Sequence, residues 1–263
     1  MTELFDIGAN LADSSFDEDR DAVVARARAA GVQDIVITGS SLVSNRRAAT
    51  IASTDARLYY TTGVHPHHAA DYDHAMHQEL SMQMSAPDVV AAGECGLDYF
   101  RNLAPADRQR DAFERQLSLA AEFALPVFLH QRDAHDDFLE VLKPWLPKLP
   151  RAVTHCFTAG QRELEAYLAL DLYVGITGWI CDERRGQHLL PLVAKIPADR
   201  LLIETDAPYL LPRSLRPKPK TRRNEPAWLP EVARVVAAAR DVSVDELASQ
   251  TTANAKRFFG LAR

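Results

Sequence analysis

Val89-Val90-Ala91-Ala92-Gly93-Glu94 (VVAAGE, residues 89–94) is a run of small and apolar residues that ends in a single carboxylate. A short β-branched run bounded in this way reads as a strand. Seven further stretches have the same character: Leu4–Gly8, Asp34–Gly39, Leu58–Val64, Pro126–His130, Ala152–His155, Leu172–Thr177 and Leu201–Asp206. Their ends fall 21 to 36 residues apart, enough each time for one strand and one helix. The intervening segments carry helical periodicity. Asp19–Ala30 (DRDAVVARARAA) leads to Gly31, a plausible C-cap, and in Arg108–Phe123 the apolar positions return every three or four residues. Eight alternating units predict a (β/α)8 TIM barrel over residues 1–263 as one domain, with a doubly wound open sheet as the alternative. Two last helices, near Glu225–Ala239 and Val244–Phe259, would pack on the outside of the barrel.

The chain has 263 residues, 30 Lys and Arg against 36 Asp and Glu, and a formal charge of −6. That balance argues against a globally basic nucleic-acid coat protein, although a local basic patch can do the same electrostatic work. The start, MTELFDIGANLADSSFDEDRD, lacks the basic and apolar regions of a secretory signal. No run approaches the 18 or so apolar residues of a membrane span. Cys95, Cys156 and Cys181 are odd in number and lack CxxC spacing, which fits a reducing interior. A cytoplasmic monomer is the expectation.

In a barrel the C-terminal strand ends carry the chemistry. Here they hold Asp6 and Asn10, then His65, His67 and His68, then Glu94, His130 and His155, and finally Glu204 and Asp206. Closure would bring Glu94, His130, His155 and Asp206 around one mouth. Two imidazoles and two carboxylates form a mixed N/O set for Mg²⁺, Mn²⁺, Zn²⁺ or Fe²⁺, and the absence of thiolates argues against a closed structural zinc site. The competing reading, that each histidine is a hydrogen-bonded core residue, weakens when four such residues occupy equivalent strand ends. Cys95 and Cys156 follow Glu94 and His155, and period-two alternation points them away from the mouth. Cys181 precedes Asp182-Glu183-Arg184-Arg185, read as a solvated charge cluster.

Arg213–Arg223 (RSLRPKPKTRR) contains six basic residues and no acidic one, immediately beyond the last strand. Phosphates suit its arginines; a solvated basic loop is the alternative. Tyr99, Phe100, Trp179 and Tyr209 could offer faces for base stacking, or could simply pack at the rim. Arg132 lies two residues beyond His130 and would point the same way along an extended chain.

GECGLDY from Gly93, PVFLHQRD from Pro126, HCFT from His155, GITG from Gly175, LIETDAPYL from Leu202 and RNEP from Arg223 together resemble the TatD family of metal-dependent deoxyribonucleases. The resemblance spans essentially the whole chain, and FDIGAN, GVHPH and GWICDERRG bring it nearest to the branch acting as 3′-5′ exonucleases on single-stranded DNA and RNA. It implies a TIM-barrel hydrolase using a divalent metal, usually Mg²⁺, to cut phosphodiester bonds, and a place in DNA repair. By motif, Glu94, His130 and His155 are similar to family metal ligands, and Asp206 to the aspartate that completes the site and assists the attacking water. Many relatives carry His-x-His at the end of the first strand, where this chain has Gly8-Ala9-Asn10, a departure that bears on a second metal.

The residues make a physical case beside the resemblance. A metal on Glu94, His130 and His155 would polarise a phosphate oxygen and lower the pKa of a bound water, which Asp206 could deprotonate. His65 could hydrogen-bond phosphate or protonate the leaving oxygen. Arg132, Asn224, Arg222 and Arg223 are candidates for holding the strand, with Glu204, Asn10 and Asp6 as supporting residues or ligands of a second metal. The rival is a barrel amidohydrolase or esterase acting on a small molecule or an aminoacyl-tRNA ester. A further rival is a binding protein with a degraded metal site.

Overall fold

The computed structural model describes residues 3–261. Its eight strands form one sheet in sequential order, β1 to β8, which is the TIM-barrel topology. The contacts group into two compact units: residues up to Val36 together with those from Cys156 onward, and the continuous stretch Ile37–His155.

The continuous unit contains α2 (Leu42–Ala52), β3 (Leu58–Thr62), α3 (His74–Met84), β4 (Val89–Asp98), α4 (Ala106–Glu122), β5 (Val127–Arg132), α5 (His135–Leu142) and β6 (Ala152–Thr154). β3 to β6 run parallel, each beside the next. α4 buries Ala112, Phe113, Leu117 and Ala120, and the Phe113 ring stacks on Phe138 of α5 at 5.4 Å. Two glutamines on the same helix, Gln109 and Gln116, are also buried. Burying an amide is unfavourable unless it is paired, and both are paired to backbone. Gln116 accepts from Val64 N–H at 2.7 Å and donates to Val64 carbonyl at 3.0 Å. Gln109 likewise accepts from Asp98 N–H at 2.8 Å and donates to the carbonyls of Asp98 and Ala104.

The other unit holds β1 (Leu4–Ala9), α1 (Arg20–Ala29), β2 (Val32–Ile37), α6 (Gln161–Ala169), β7 (Tyr173–Ile176), α7 (Leu189–Val193), β8 (Leu201–Ile203), α8 (Leu229–Arg240) and α9 (Val244–Phe259). Gly31 follows α1 with φ of +90°, the left-handed conformation expected of a residue ending a helix. β1 is linked to the chain leaving β8 by Asp206 N–H to Gly8 carbonyl at 2.8 Å and Asn10 N–H to Ala207 carbonyl at 2.7 Å. α9 is capped by Ser243 and packs Phe259 against Phe5 and Phe258 against Tyr173. Fully burying such a ring contributes about 1.5–3 kcal/mol. α8 starts at Leu229, four residues beyond the expected Glu225, because Pro226–Trp228 forms a 3-10 turn and Pro230 occupies the first turn of the helix. Among the described residues no helix is long and apolar enough to cross a membrane.

Candidate metal centre

β4 runs ten residues, four beyond Glu94, and its pairing with β5 is irregular at that residue. Gly93 is opposite Phe128 and Cys95 opposite Leu129, so Glu94 is the extra residue of a β-bulge. Its N–H goes to Gly39 carbonyl at 2.6 Å. Gly93 and Gly96, with φ of +135° and +142°, flank it. A Cβ on Gly96 would lie 1.9 Å from the His130 carbonyl oxygen, so glycine is what lets β4 approach the strand bearing that histidine.

The bulge places Glu94, 6 % exposed, beneath three imidazoles. Its Oε1 lies 2.7 Å from His155 Nε2, 3.0 Å from His130 Nδ1 and 3.3 Å from His65 Nε2. Burial pushes the carboxyl up, but the imidazoles of His155 and His65 outweigh it and hold Glu94 well below the usual carboxylate range. Ligand atoms sharing an ion at 2.0–2.2 Å stand about 3.0–3.5 Å apart, as Glu94 Oε1 does from His130 Nδ1 and His65 Nε2, and the three donors lie within 4.8 Å of one another. The donors are hard oxygen and borderline nitrogen, and none is a thiolate. This donor set fits a divalent cation.

The three histidines are not equivalent. His65 precedes a 3-10 turn, Pro66–Asp71, and its Nδ1 accepts the His67 N–H at 3.1 Å. That bond puts the ring proton on Nε2, facing Glu94, and makes His65 a hydrogen-bond donor more readily than a metal ligand. Burial lowers its pKa to about 4, leaving the ring neutral at pH 7. His130, by contrast, has its ordinary pKa raised. Burial opposes the charge, and the carboxylates of Asp98 and Glu94 on either side of the ring more than compensate.

Asp98 is a site residue that the sequence reading did not single out. It is 1 % exposed, with Oδ2 2.8 Å from His67 Nε2 and 3.3 Å from His130 Nε2. Oδ1 accepts from Arg101 N–H at 2.8 Å. Burial is again outweighed, by hydrogen bonding with His130 and His67, and the carboxyl sits well below its ordinary value. The signal available in sequence was alternation, which puts Asp98, four residues on, on the face of Glu94; in the structure it is opposite Arg132, as Gly96 is opposite His130. His67 therefore joins the cluster, whereas His68 is exposed.

The remaining expected site residues belong to the other unit. Asp206, φ +54°, accepts from Asn10 Nδ2 at 3.0 Å. Asp6 is fully buried and accepts from the N–H groups of Thr205 at 2.9 Å and Gly8 at 3.2 Å, with Thr205 Oγ1 on its second oxygen. Burial raises its pKa to about 7, against the lowering effect of those bonds. Glu204 Oε1 accepts the Cys156 N–H at 2.6 Å, bracing the backbone one residue after His155.

Two expected strand-holding residues are instead structural. Asn224 is 0 % exposed, donates to Thr205 carbonyl at 3.0 Å and accepts from Glu225 N–H at 2.9 Å, so its amide has no face toward solvent. Arg223 bonds Asp19 through both guanidinium nitrogens, at 2.8 and 2.7 Å, and Glu225 at 2.9 Å. Arg222 is exposed, as are Lys218 and Lys220. Asp182 departs from the solvated cluster expected of it: it is 2 % exposed, accepting from Arg184 N–H and Arg185 Nε. Cys95 and Cys181 are buried, Cys156 is half-buried, and none of the three forms a disulfide.

The sequence profile of the family described as TatD related DNase matches residues 5–260. A protein of Erwinia amylovora named 3′-5′ ssDNA/RNA exonuclease TatD is 54% identical over 98% of this chain and 100% of its own. A protein of the same name from Klebsiella pneumoniae is 52% identical, covering 98% of both chains. Among solved structures, a TatD homologue from Escherichia coli superposes with a TM-score of 0.90 at 29% identity, and a TatD family hydrolase from Entamoeba histolytica with 0.89 at 27%. Each covers 98% of both chains.

Proposed function

Because the chain belongs to the TatD-related DNase family, we propose that it is a metal-dependent hydrolase that removes nucleotides from the 3′ end of single-stranded DNA and RNA, with Mg²⁺ as its cation and the cytoplasm as its compartment. The observation that carries this is the buried Glu94 Oε1 with three imidazole nitrogens converging on it within 3.3 Å.

Glu94, His130 and His155 would hold the cation, which would supply charge to a phosphate oxygen and lower the pKa of a water. His65, its Nδ1 occupied by the His67 N–H, keeps its proton on the Nε2 that faces Glu94 and turns it to a phosphate oxygen when substrate enters. Its lowered pKa makes it a hydrogen-bond donor in the neutral form instead of the acid for the leaving oxygen. Asp206 accepts the proton of the attacking water, with Asn10 orienting its carboxylate. Arg132 and Arg222 bind the phosphate backbone.

The test uses 5′-labelled and 3′-labelled single-stranded oligonucleotides in Mg²⁺, with EDTA and a Glu94→Ala, His155→Ala double variant as controls. Stepwise loss from the 3′ end, abolished by both controls, is the expected result. Intact oligonucleotide in the presence of bound metal would reassign the site to an amide or carboxylic ester. Asp206→Asn should bind metal and lose turnover.

A further inference from the structure

Phe100 is 57 % exposed, on the loop that leaves β4 two residues after Asp98. The guanidinium carbon of Arg132 sits 3.8 Å above the centroid of its ring. An exposed phenyl ring on a mobile loop would need no explanation, but this loop is pinned. Tyr99 N–H donates to the Arg132 carbonyl at 2.9 Å and Asn102 N–H to the Asp98 carbonyl at 3.2 Å. Arg101 N–H reaches Asp98 Oδ1 at 2.8 Å, and Tyr99 hydroxyl reaches Asp137 at 2.7 Å. The neighbouring Leu103 is 65 % exposed on the same loop. Holding apolar surface rigidly in water is unfavourable unless something covers it, and a pre-ordered surface loses little entropy when it is covered.

Among the described residues Arg132 has its charge unmet by any carboxylate. Acidic residues outnumber basic ones in this chain, and Arg26, Arg110, Arg200, Arg213 and Arg223 all hold carboxylates. Among the described residues the Arg132 guanidinium meets none; it stacks on Phe100 instead. Stacking occupies the flat face of a guanidinium and leaves its N–H edge, the edge that matches phosphate, available for an anion. Arg132 also lies two residues beyond the ligand His130 on β5.

We propose that Phe100 and Arg132 form one nucleotide subsite, the guanidinium edge taking a phosphate of the strand and the phenyl ring stacking on a neighbouring base. This rests on the nucleic-acid reading above and adds to it the base-contacting residue. A phenyl face accepts any base, so the subsite is blind to sequence and closed to paired strands, whose bases are already stacked.

The test measures binding in EDTA, which stops turnover and leaves both side chains in place. A labelled oligothymidylate is compared by fluorescence anisotropy with the same strand carrying one abasic residue, moved position by position. For the wild-type protein, one position should weaken binding by about 5- to 150-fold, the range of a single base on an aromatic ring. In Phe100→Ala that position should behave like the others, while Phe100→Trp should keep the penalty. Arg132→Gln should lower the slope of log affinity against log salt by about 0.7, the loss of one contact to a single strand. If the abasic penalty persists in Phe100→Ala, or no position carries one, the subsite is wrong and the nuclease reading stands. If the wild-type protein binds no oligonucleotide, both fall. If Phe100→Ala abolishes self-association and leaves oligonucleotide affinity intact, the ring is a protein contact.

Discussion

Asp98 and His130 face each other across neighbouring strands, Oδ2 to Nε2 at 3.3 Å, while the opposite ring nitrogen of His130 lies 3.0 Å from Glu94. An imidazole between two carboxylates has its proton position decided for it. Without a cation the Nδ1 proton goes to Glu94; a cation taken up on that side would replace it and leave the ring N–H on Nε2, facing Asp98. Such carboxylate–histidine–metal arrangements raise the basicity of the ligand and fix its ring.

Asp98→Asn should therefore weaken metal binding by about 10- to 100-fold. Isothermal calorimetry with Mn²⁺ reads the affinity, and far-UV circular dichroism checks that the fold is kept. Unchanged affinity in a folded variant would show that Asp98 serves only its loop.

Replacing Gln116 with Met leaves the N–H and carbonyl of Val64 buried without their partner, next to His65. Each unsatisfied group costs about 1–3 kcal/mol. Urea denaturation should show a loss of about 2–6 kcal/mol for Gln116→Met, the two groups together, and a smaller one for Gln116→Glu at low pH, where a protonated carboxyl can both donate and accept. A neutral Gln116→Met would mean that the loop finds other partners.

Metal should stabilise the fold by mass action. Mn²⁺ at about 100 times its dissociation constant adds about 2.7 kcal/mol. Thermal unfolding followed with and without Mn²⁺ should show this increment in the wild-type protein and none in the Glu94→Ala, His155→Ala variant. A shift of equal size in both would place the cation elsewhere.

Asp6 gives a pH dependence with a definite sign. Folded, it keeps its proton to about pH 7, while in the unfolded chain it titrates near 3.8. Between those values the native state binds the proton that the unfolded state has lost, so stability falls as pH rises from about 4 to about 7 and then levels. Asp6→Asn keeps an acceptor for Gly8 and Thr205 and offers an amide to Thr205 Oγ1, as the protonated acid does. The stability of Asp6→Asn relative to wild type should therefore grow across this window, by a few kcal/mol at about 1.4 kcal/mol per pKa unit. A difference that does not change with pH would show that Asp6 is not the titrating group.

Arg222 and Arg223 should separate cleanly. Arg223→Gln removes the links to Asp19 and Glu225 and should lower stability by about 1–2 kcal/mol with KM unchanged. Arg222→Gln should leave stability alone, raise KM on the order of a few-fold and flatten its salt dependence. A raised KM in Arg223→Gln at full stability would return that residue to the substrate.

The barrel was legible because most strands are largely apolar runs and several of them end in one polar residue, as VVAAGE and PVFLH do. The gathering of Glu94, His130 and His155 followed from those endings. What sequence did not disclose is how far β4 runs. It continues four residues past the expected end at Glu94, and alternation carried that far brings Asp98 against His67 and His130. Asn224 and Arg223 misled for a related reason. A basic, proline-rich loop looks solvated, yet distant partners, Thr205 for one and Asp19 for the other, draw these two inward.

The division of the chain also sets a timetable. His65, Glu94, Asp98, His130 and His155 all come from one uninterrupted stretch, whereas β1 waits for β8 and α9 at the far end of the chain. At about 5–20 residues per second, the ribosome needs several seconds to add everything beyond His155. Each newly made molecule thus carries all five of these side chains well before the strand that partners its first one has been synthesised.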